Sequence, residues 1–136
     1  MQGCKALTFA QLGDERGQMI VGECGKEIPF DIKRIFYMYH TQSSSVRGQH
    51  ANRKSEFVLI NLRGACKILV DNGFEQETLI LDKPNKGVYL EKMVWKEMYD
   101  FSEDAILLVL SNERYDSNEY IRDYEEYLKE RRIKND

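Results

Sequence analysis

The sequence predicts an all-β domain of antiparallel strands closed by one C-terminal α-helix. Three observations carry that expectation. Short β-compatible segments recur at regular intervals with turn chemistry between them. No helical spacing interrupts them before Tyr115, whereas Tyr120, Tyr124, Tyr127 and Leu128 recur at helical spacing after it. Strands that follow one another without interleaved helices make a sandwich or a barrel.

Cys4 to Phe9 is the first apolar segment, Gly13-Asp14-Glu15-Arg16-Gly17 a turn, and Gln18 to Glu23 the next strand. Ile28-Pro29-Phe30 precedes a strand from Ile32 to Tyr39. Alternation there sends Phe36 to the core and Tyr37 and Tyr39 to the opposite face, where each hydroxyl needs a partner. His40 and the polar run Thr41 to Ser45 read as surface. Arg47 to Glu56 passes from a Gly-containing turn into an alternating pattern that continues through Phe57-Val58-Leu59-Ile60. Arg63-Gly64 turns the chain into a strand from Cys66 to Val70. Asp71-Asn72-Gly73 signals a tight hairpin, because these residues tolerate positive φ, and Thr78 to Leu81 returns from it. After the loop Asp82 to Gly87, the segments Val88-Tyr89-Leu90, Met93 to Phe101 and Ala105 to Leu110 complete the β core. Asp116 with Glu119 resembles a capping box, and Lys129, Arg131 and Arg132 late in the segment complement a helix dipole. Residues 1–136 read as one domain, with a β core over 1–114 and the helix over 115–136.

Charged residues nearly balance, at 20 Lys and Arg against 23 Asp and Glu. A net charge of -3 argues against a nucleic-acid binder that works by neutralising phosphates. No apolar run reaches membrane length and no signal pattern opens the chain, so a soluble, cytoplasmic protein is expected. Three cysteines without zinc-type spacing read as reduced structural thiols.

The stretch Arg47 to Glu56 organises the functional reading. Its alternation puts His50, Asn52, Lys54, Glu56 and Val58 on one face and Ala51, Arg53, Ser55 and Phe57 on the other. Polar groups that share a face with core residues are costly to bury unless paired, so they either pair structurally or line a pocket. The pocket is the working reading, with His50 as its reactive residue. Arg16, between two glycine-bearing segments, is either a solvated charge or a group that reaches an anion.

A small all-β domain with His50, a polar residue at 52, Glu56 and a later Gly-rich hairpin suggests a cupin jelly roll of the RmlC-like type. Metal-binding cupins place a second histidine where Asn52 stands, and a third on a later strand. If Lys96, after Trp95, is the counterpart of that third histidine, a protonated ammonium takes its place; it cannot ligate and repels a dication. No metal or other cofactor is expected. The chain resembles the bacterial nucleotide-sugar 3,4-ketoisomerases, metal-free WxcM-like cupins acting on dTDP-4-keto-6-deoxyglucose. The resemblance covers nearly the whole chain and rests on Ile28-Pro29-Phe30-Asp31-Ile32-Lys33-Arg34, Arg47-Gly48-Gln49-His50-Ala51, Val94-Trp95-Lys96-Glu97-Met98, Tyr115-Asp116 and Tyr120-Ile121-Arg122. Two positions depart from the family pattern. Asn52 stands where a second histidine is usual, and Lys96 where His or Arg is common.

The resemblance implies an enzyme that moves a ketone from C4 to C3 of a dTDP-linked 4-keto-6-deoxyhexose. His50 would remove the C3 proton and return it to C4 through an enediol, a task suited to an imidazole. Tyr37, Asn52 and Lys96 are the candidates for polarising the oxygen where charge develops. Arg47 and Arg34 suit the diphosphate through their guanidinium forks, with Lys54 a weaker candidate. Tyr89 is a candidate for contacting the base or the sugar. Arg16 resembles the galacto-producing branch, whereas Lys96 matches neither branch. The family further implies a homodimer with exchanged N-terminal strands and a role in 3-amino-3,6-dideoxy sugars for surface glycans. The rival readings are a 3,5-epimerase of the same fold, which pairs its histidine with a carboxylate, and a non-catalytic nucleotide-sugar binding module.

Overall fold

A computed structural model describes residues 1–133. Twelve strands and one α-helix follow in order: β1 (Cys4–Thr8), β2 (Ala10–Asp14), β3 (Gly17–Val21), β4 (Arg34–Tyr39), β5 (Arg47–Asn52), β6 (Phe57–Arg63), β7 (Cys66–Asp71), β8 (Gln76–Leu81), β9 (Lys86–Leu90), β10 (Trp95–Tyr99), β11 (Ile106–Ser111), β12 (Tyr120–Ile121) and α1 (Tyr124–Ile133). Two five-stranded antiparallel sheets face each other, ordered β1-β9-β6-β11-β4 and β12-β5-β10-β7-β8, while β2 and β3 form a separate hairpin. The antiparallel sandwich with one terminal helix expected from the strand spacing is the fold observed.

The main core lies between the sheets. Phe57 and Leu59 of β6, Leu107 and Val109 of β11, Ile68 and Val70 of β7 and Met98 of β10 pack there. The intervening residues Val58, Ile60 and Leu110 are buried on the opposite face, under Leu7, Phe9 and Ile28. Burial on both faces is why β6 and β11 read as continuous apolar runs rather than as clean alternation. On the far side of the second sheet, α1 covers Ala51, Met93, Trp95 and Ile121 with Tyr127. Trp95 belongs to this core, at 4 % exposure. Among the described residues, no helix is long and apolar enough to cross a membrane.

The terminal helix starts later than its sequence suggested. Residues Ser117–Glu119 form a single 3-10 turn capped by Asp116, whose side chain accepts from the Asn118 amide. Tyr120 then enters β12 and pairs with Asn52 of β5. The helix begins at Tyr124, capped by Asp123, whose carboxylate accepts from the Glu125 and Glu126 amides at 2.8 and 3.2 Å. The expected helix over 115–136 is therefore corrected at its start, and its last three positions lie outside the described residues. Glu119 does not close a capping box because it is drawn inward. Its carboxylate accepts from the Ser55 hydroxyl, and from the amides of Lys54 and Ser55 at 3.0 and 2.9 Å.

That buried carboxylate also explains a second correction. The alternating register drawn through residues 50–58 breaks after Asn52, where β5 ends and the chain bends across to the other sheet before β6 starts at Phe57. The amides of the bend find Glu119 rather than a neighbouring strand, and the Arg53 amide donates to the Glu119 carbonyl at 2.9 Å. The bend changes the parity: Phe57 joins His50 around one cavity, and Glu56 and Val58 leave it.

The helix is held by Tyr127, whose fully buried hydroxyl lies 2.9 Å from the Asp71 carbonyl and 2.8 Å from that of Met93. Tyr127→Phe, which removes only this hydroxyl, should destabilise by about 1 kcal/mol in urea unfolding. Tyr127→Ala should cost roughly 3–5 kcal/mol, because it also empties the aromatic site. A loss under about 1 kcal/mol for the alanine variant would show that the helix is not docked as described.

Candidate active site

The site is built on β5 by an irregularity. Opposite β10, Lys96 pairs with His50, Glu97 with Gly48 and Met98 with Arg47, so the register shifts and Gln49 is the extra residue of a bulge. Gly48 and Gln49 both take positive φ, at 85° and 59°. Glycine is required at 48 for space as well as conformation, since a Cβ there would meet the Lys96 carbonyl at 3.0 Å and the Met98 thioether at 3.2 Å. In a regular strand residues 47 and 50 would point to opposite faces. The bulge re-aims them, and Arg47, Gly48 and His50 all line one cavity of about 120 Å³.

Phe36, Met38, Phe57, Leu59, Met98 and Val109 form the apolar wall of that cavity, and Lys96 and Tyr120 complete it with His50 and Arg47. No carboxylate is among the lining residues. His50 stacks edge-on against Tyr120 with ring centroids 4.8 Å apart, and its Nδ1 is buried without a hydrogen-bond partner. Burial, followed by the positive charges of Lys96, Arg122 and Arg34, lowers the imidazole pKa to about 3. His50 is therefore neutral at working pH and available to take a proton.

Lys96 is 3 % exposed. Its ammonium donates to Asn52 Oδ1 at 3.3 Å and lies 4.6 Å from the centroid of the Phe57 ring. Burial lowers its pKa to about 7, opposed by the charge of Glu119. Asn52 is fully buried, and its Nδ2 has no partner. Burial raises the Glu119 carboxyl, but the bonds it accepts from Ser55 and Lys54 outweigh that effect, and its pKa lies below the usual glutamate value.

Arg34 sits behind Tyr120. Its Nη1 is 3.5 Å from the Tyr120 hydroxyl, and its guanidinium lies against Phe36, Phe57 and Tyr115 at 5.4, 6.0 and 5.7 Å. Its Nε and Nη2 are buried with no partner. A permanently charged group in that state is suited to receive an anion. Arg122, over the Tyr120 ring at 4.6 Å, adds a further cation that acts on His50. Helical spacing predicts Tyr120 and Arg122 on the terminal helix, away from the site; instead Tyr120 enters the short strand β12 beside β5, and Arg122 follows it directly.

Four of the residues expected in the site are not brought to it within one chain. Tyr37 lies on the outer face of the first sheet, 59 % exposed beside Tyr39, and Phe36 faces the cavity instead. β4 alternates as its sequence predicts, and the face it turns to the cavity is that of Phe36. Lys54 is exposed in the bend after β5. Tyr89 donates to Glu56 on the outer side of β9, with Phe30 at 6.3 Å between ring centroids. Arg16 is paired with Asp14 at 2.7 Å at the tip of the β2–β3 hairpin, and both are solvated. His40, left out of the site, lines a separate outer depression with Tyr37, Tyr39 and Arg63.

Known proteins with this sequence pattern and fold agree on a family. Residues 2–132 match the FdtA family, described as WxcM-like, C-terminal. The chain is 40 % identical over 125 residues, 92 % of its length and 90 % of the relative's, to a TDP-4-oxo-6-deoxy-alpha-D-glucose-3,4-oxoisomerase from Aneurinibacillus thermoaerophilus. A 3,4-ketoisomerase from Helicobacter canadensis superposes with a TM-score of 0.91 at 45 % identity, covering 95 % of this chain and 97 % of that one. QdtA, a sugar 3,4-ketoisomerase from Thermoanaerobacterium thermosaccharolyticum in complex with TDP, superposes with a TM-score of 0.95 at 36 % identity, covering 98 % of each chain. On the cavity, the fold and these likenesses together, the chain belongs to the FdtA, WxcM-like C-terminal, family.

Proposed function

We infer that this protein is a nucleotide-sugar 3,4-ketoisomerase that moves the ketone of a TDP-linked 4-keto-6-deoxyhexose from C4 to C3. The observation that carries the reading is an imidazole lining a small cavity with Lys96 and Arg47 in its wall and no carboxylate among the lining residues. The proton on C3 is acidic because the C4 carbonyl can take up its electrons. His50 removes it, the C3–H electrons form the C3=C4 bond, and charge passes to the C4 oxygen. The imidazolium then returns the proton to C4 from the same ring face. A positioned base of this kind contributes roughly 10²–10⁴ in rate.

Charge explains how a histidine of such low pKa does the work. Lys96, Arg122 and Arg34 disfavour the imidazolium in the free protein. A bound diphosphate offsets those charges, and His50 becomes a stronger base when substrate is present. Arg47 in the cavity wall and Arg122 over Tyr120 are the groups proposed to meet the diphosphate, together with Arg34 beside the Tyr120 hydroxyl. The 3,5-epimerase reading needs a carboxylate on the histidine, and His50 Nδ1 has none.

A homodimer is part of the proposal. The β2–β3 hairpin exposes Leu12 at 52 % and Met19 at 58 %, apolar surface that a second copy would cover. Exchange of this N-terminal hairpin gives Arg16 a route toward a partner's cavity. A cytoplasmic location goes with the substrate class.

Incubated with TDP-4-keto-6-deoxyglucose in deuterated water, the protein should release a 3-keto sugar with a new C–H bond at C4, read by NMR. Deuterium should enter at C4 only to the extent that the His50 imidazolium exchanges with solvent before returning its proton. Deuterium at C3 and C5 with the C4 ketone retained identifies an epimerase, and unchanged substrate identifies a binding module. His50→Asn should lower kcat by about 10²–10⁴ with TDP affinity within about threefold. Full turnover in that variant would remove His50 from the mechanism. By light scattering the native chain should show twice the monomer mass, and Leu12→Asp with Met19→Asp should halve it. A native monomer would end the dimer proposal.

A further inference from the structure

The proposed reaction leaves one proton unassigned. While His50 carries a proton from carbon to carbon, the C4 oxygen must gain one and the C3 oxygen must lose one. Three residues were open for that task on sequence, and the structure separates them. Tyr37 points away from the cavity, to the outer face of its sheet. Asn52 has no proton it can give up at working pH, and its carbonyl oxygen is held by Lys96. Lys96 remains. It lines the cavity beside His50, directly across the β5–β10 ladder, and among the described residues its three-donor ammonium makes one hydrogen bond, to Asn52.

We propose that Lys96 is a second catalytic residue, the group that carries a proton between the two sugar oxygens while His50 carries one between the two carbons. This rests on the ketoisomerase reading above. In the first half, His50 takes the C3 proton, the C3–H electron pair becomes the C3=C4 bond, and the C4=O π pair becomes an O–H bond to a proton given by Lys96. The products are an enediol, a neutral amine and an imidazolium. In the second half, the amine takes the C3 hydroxyl proton, and that O–H pair becomes the C3=O bond. The C3=C4 pair then forms the C4–H bond with the proton from His50. Both side chains end as they began, and no other reactant is needed.

The surroundings of Lys96 fit a group that must both give and take a proton. It has no carboxylate within ion-pair distance among the described residues, so it is not locked in its charged form by a salt bridge. The charged and titratable groups around it are His50 on β5, Glu119 in the turn before β12, Arg34, which also lies against Phe57, and Arg122, which acts on His50. Phe57 beneath the ammonium excludes water from one side. The pKa of about 7 means that neither protonation state is strongly preferred near neutrality, which is the condition for efficient transfer in both directions. Asn52 acts as a positioning residue, aiming the ammonium through its Oδ1.

A covalent role is excluded by its product. An imine between Lys96 and C4 would rearrange to a 3-keto sugar with the lysine nitrogen bonded to C4 as a secondary amine. That bond does not hydrolyse, and the enzyme would stop after one turnover.

The test compares the native chain with Lys96→Met and Lys96→Arg. Methionine removes charge and proton together, whereas arginine keeps the charge but releases no proton. Where the family has Arg at this position a second histidine usually stands at position 52, which is Asn52 here, so the arginine variant of this chain has neither that histidine nor a lysine. Both variants should lose at least about 100-fold in kcat and keep TDP affinity within about threefold. An arginine variant with native kcat would show that fixed charge suffices, and a methionine variant with native kcat would show that the residue is not needed. Loss of TDP binding in both would make Lys96 a binding group; each of these outcomes overturns the proposal. If the native chain itself fails to form the 3-keto product, it is the ketoisomerase reading that falls.

Discussion

His50 and Lys96 are paired residues on adjacent strands, and both are turned into one small, largely apolar cavity. Two groups that can each carry positive charge cannot both do so cheaply at that separation and in that dielectric. The imidazole gives way, for three reasons that add: it is buried, Lys96 is charged, and Arg34 and Arg122 stand behind it. The remainder of the site follows from the neutral state that results. An uncharged imidazole in a cavity with no carboxylate in its wall suits the proposed role of accepting a proton from carbon, and Arg34 and Arg122, two of the cations that keep it neutral, are among those proposed to meet a diphosphate.

The fold supplies this pairing through three local devices. The bulge at Gly48 and Gln49 brings Arg47 and His50 to the same side of β5. The Glu119 carboxylate collects the amides of the bend after Asn52, which lets the chain cross from one sheet to the other and bring Phe57 under Lys96. Tyr127 fixes α1 across the back of the second sheet, and the segment leading into that helix carries Tyr120 to the edge of β5. Each device satisfies backbone or side-chain polar groups that burial would otherwise leave costly.

Much of this was legible in the residues. Strand spacing and turn chemistry were enough for the antiparallel sandwich, and the polar run ending in Phe57 was enough to mark His50. What could not be read was any feature set by a break in periodicity. Lys54 and Glu56 were placed with His50 because alternation was carried through a bend that depends on Glu119, a residue more than sixty positions away in sequence. Arg47 was chosen for its charge, and the bulge that turns it inward has no signal in the sequence beyond Gly48 itself. Phe36 reads as core and Tyr37 as a candidate for polarising the substrate oxygen, yet β4 turns its Phe36 face to the cavity and its Tyr37 face outward. Tyr120 and Arg122 were hidden by helical spacing that the chain uses only from Tyr124 onward.

The charge state of one ring is the quantity on which the account stands, and NMR measures it directly. The chain has two histidines, so comparison of imidazole ¹³C and ¹⁵N shifts with those of His50→Asn assigns the His50 signals. Followed from neutral pH downward in the free protein, His50 should stay neutral through the ordinary histidine range, with its titration pushed toward a pKa of about 3. Protonation of that ring at or above its ordinary pKa of about 6.5 would contradict a buried, cation-flanked imidazole and the mechanism built on it.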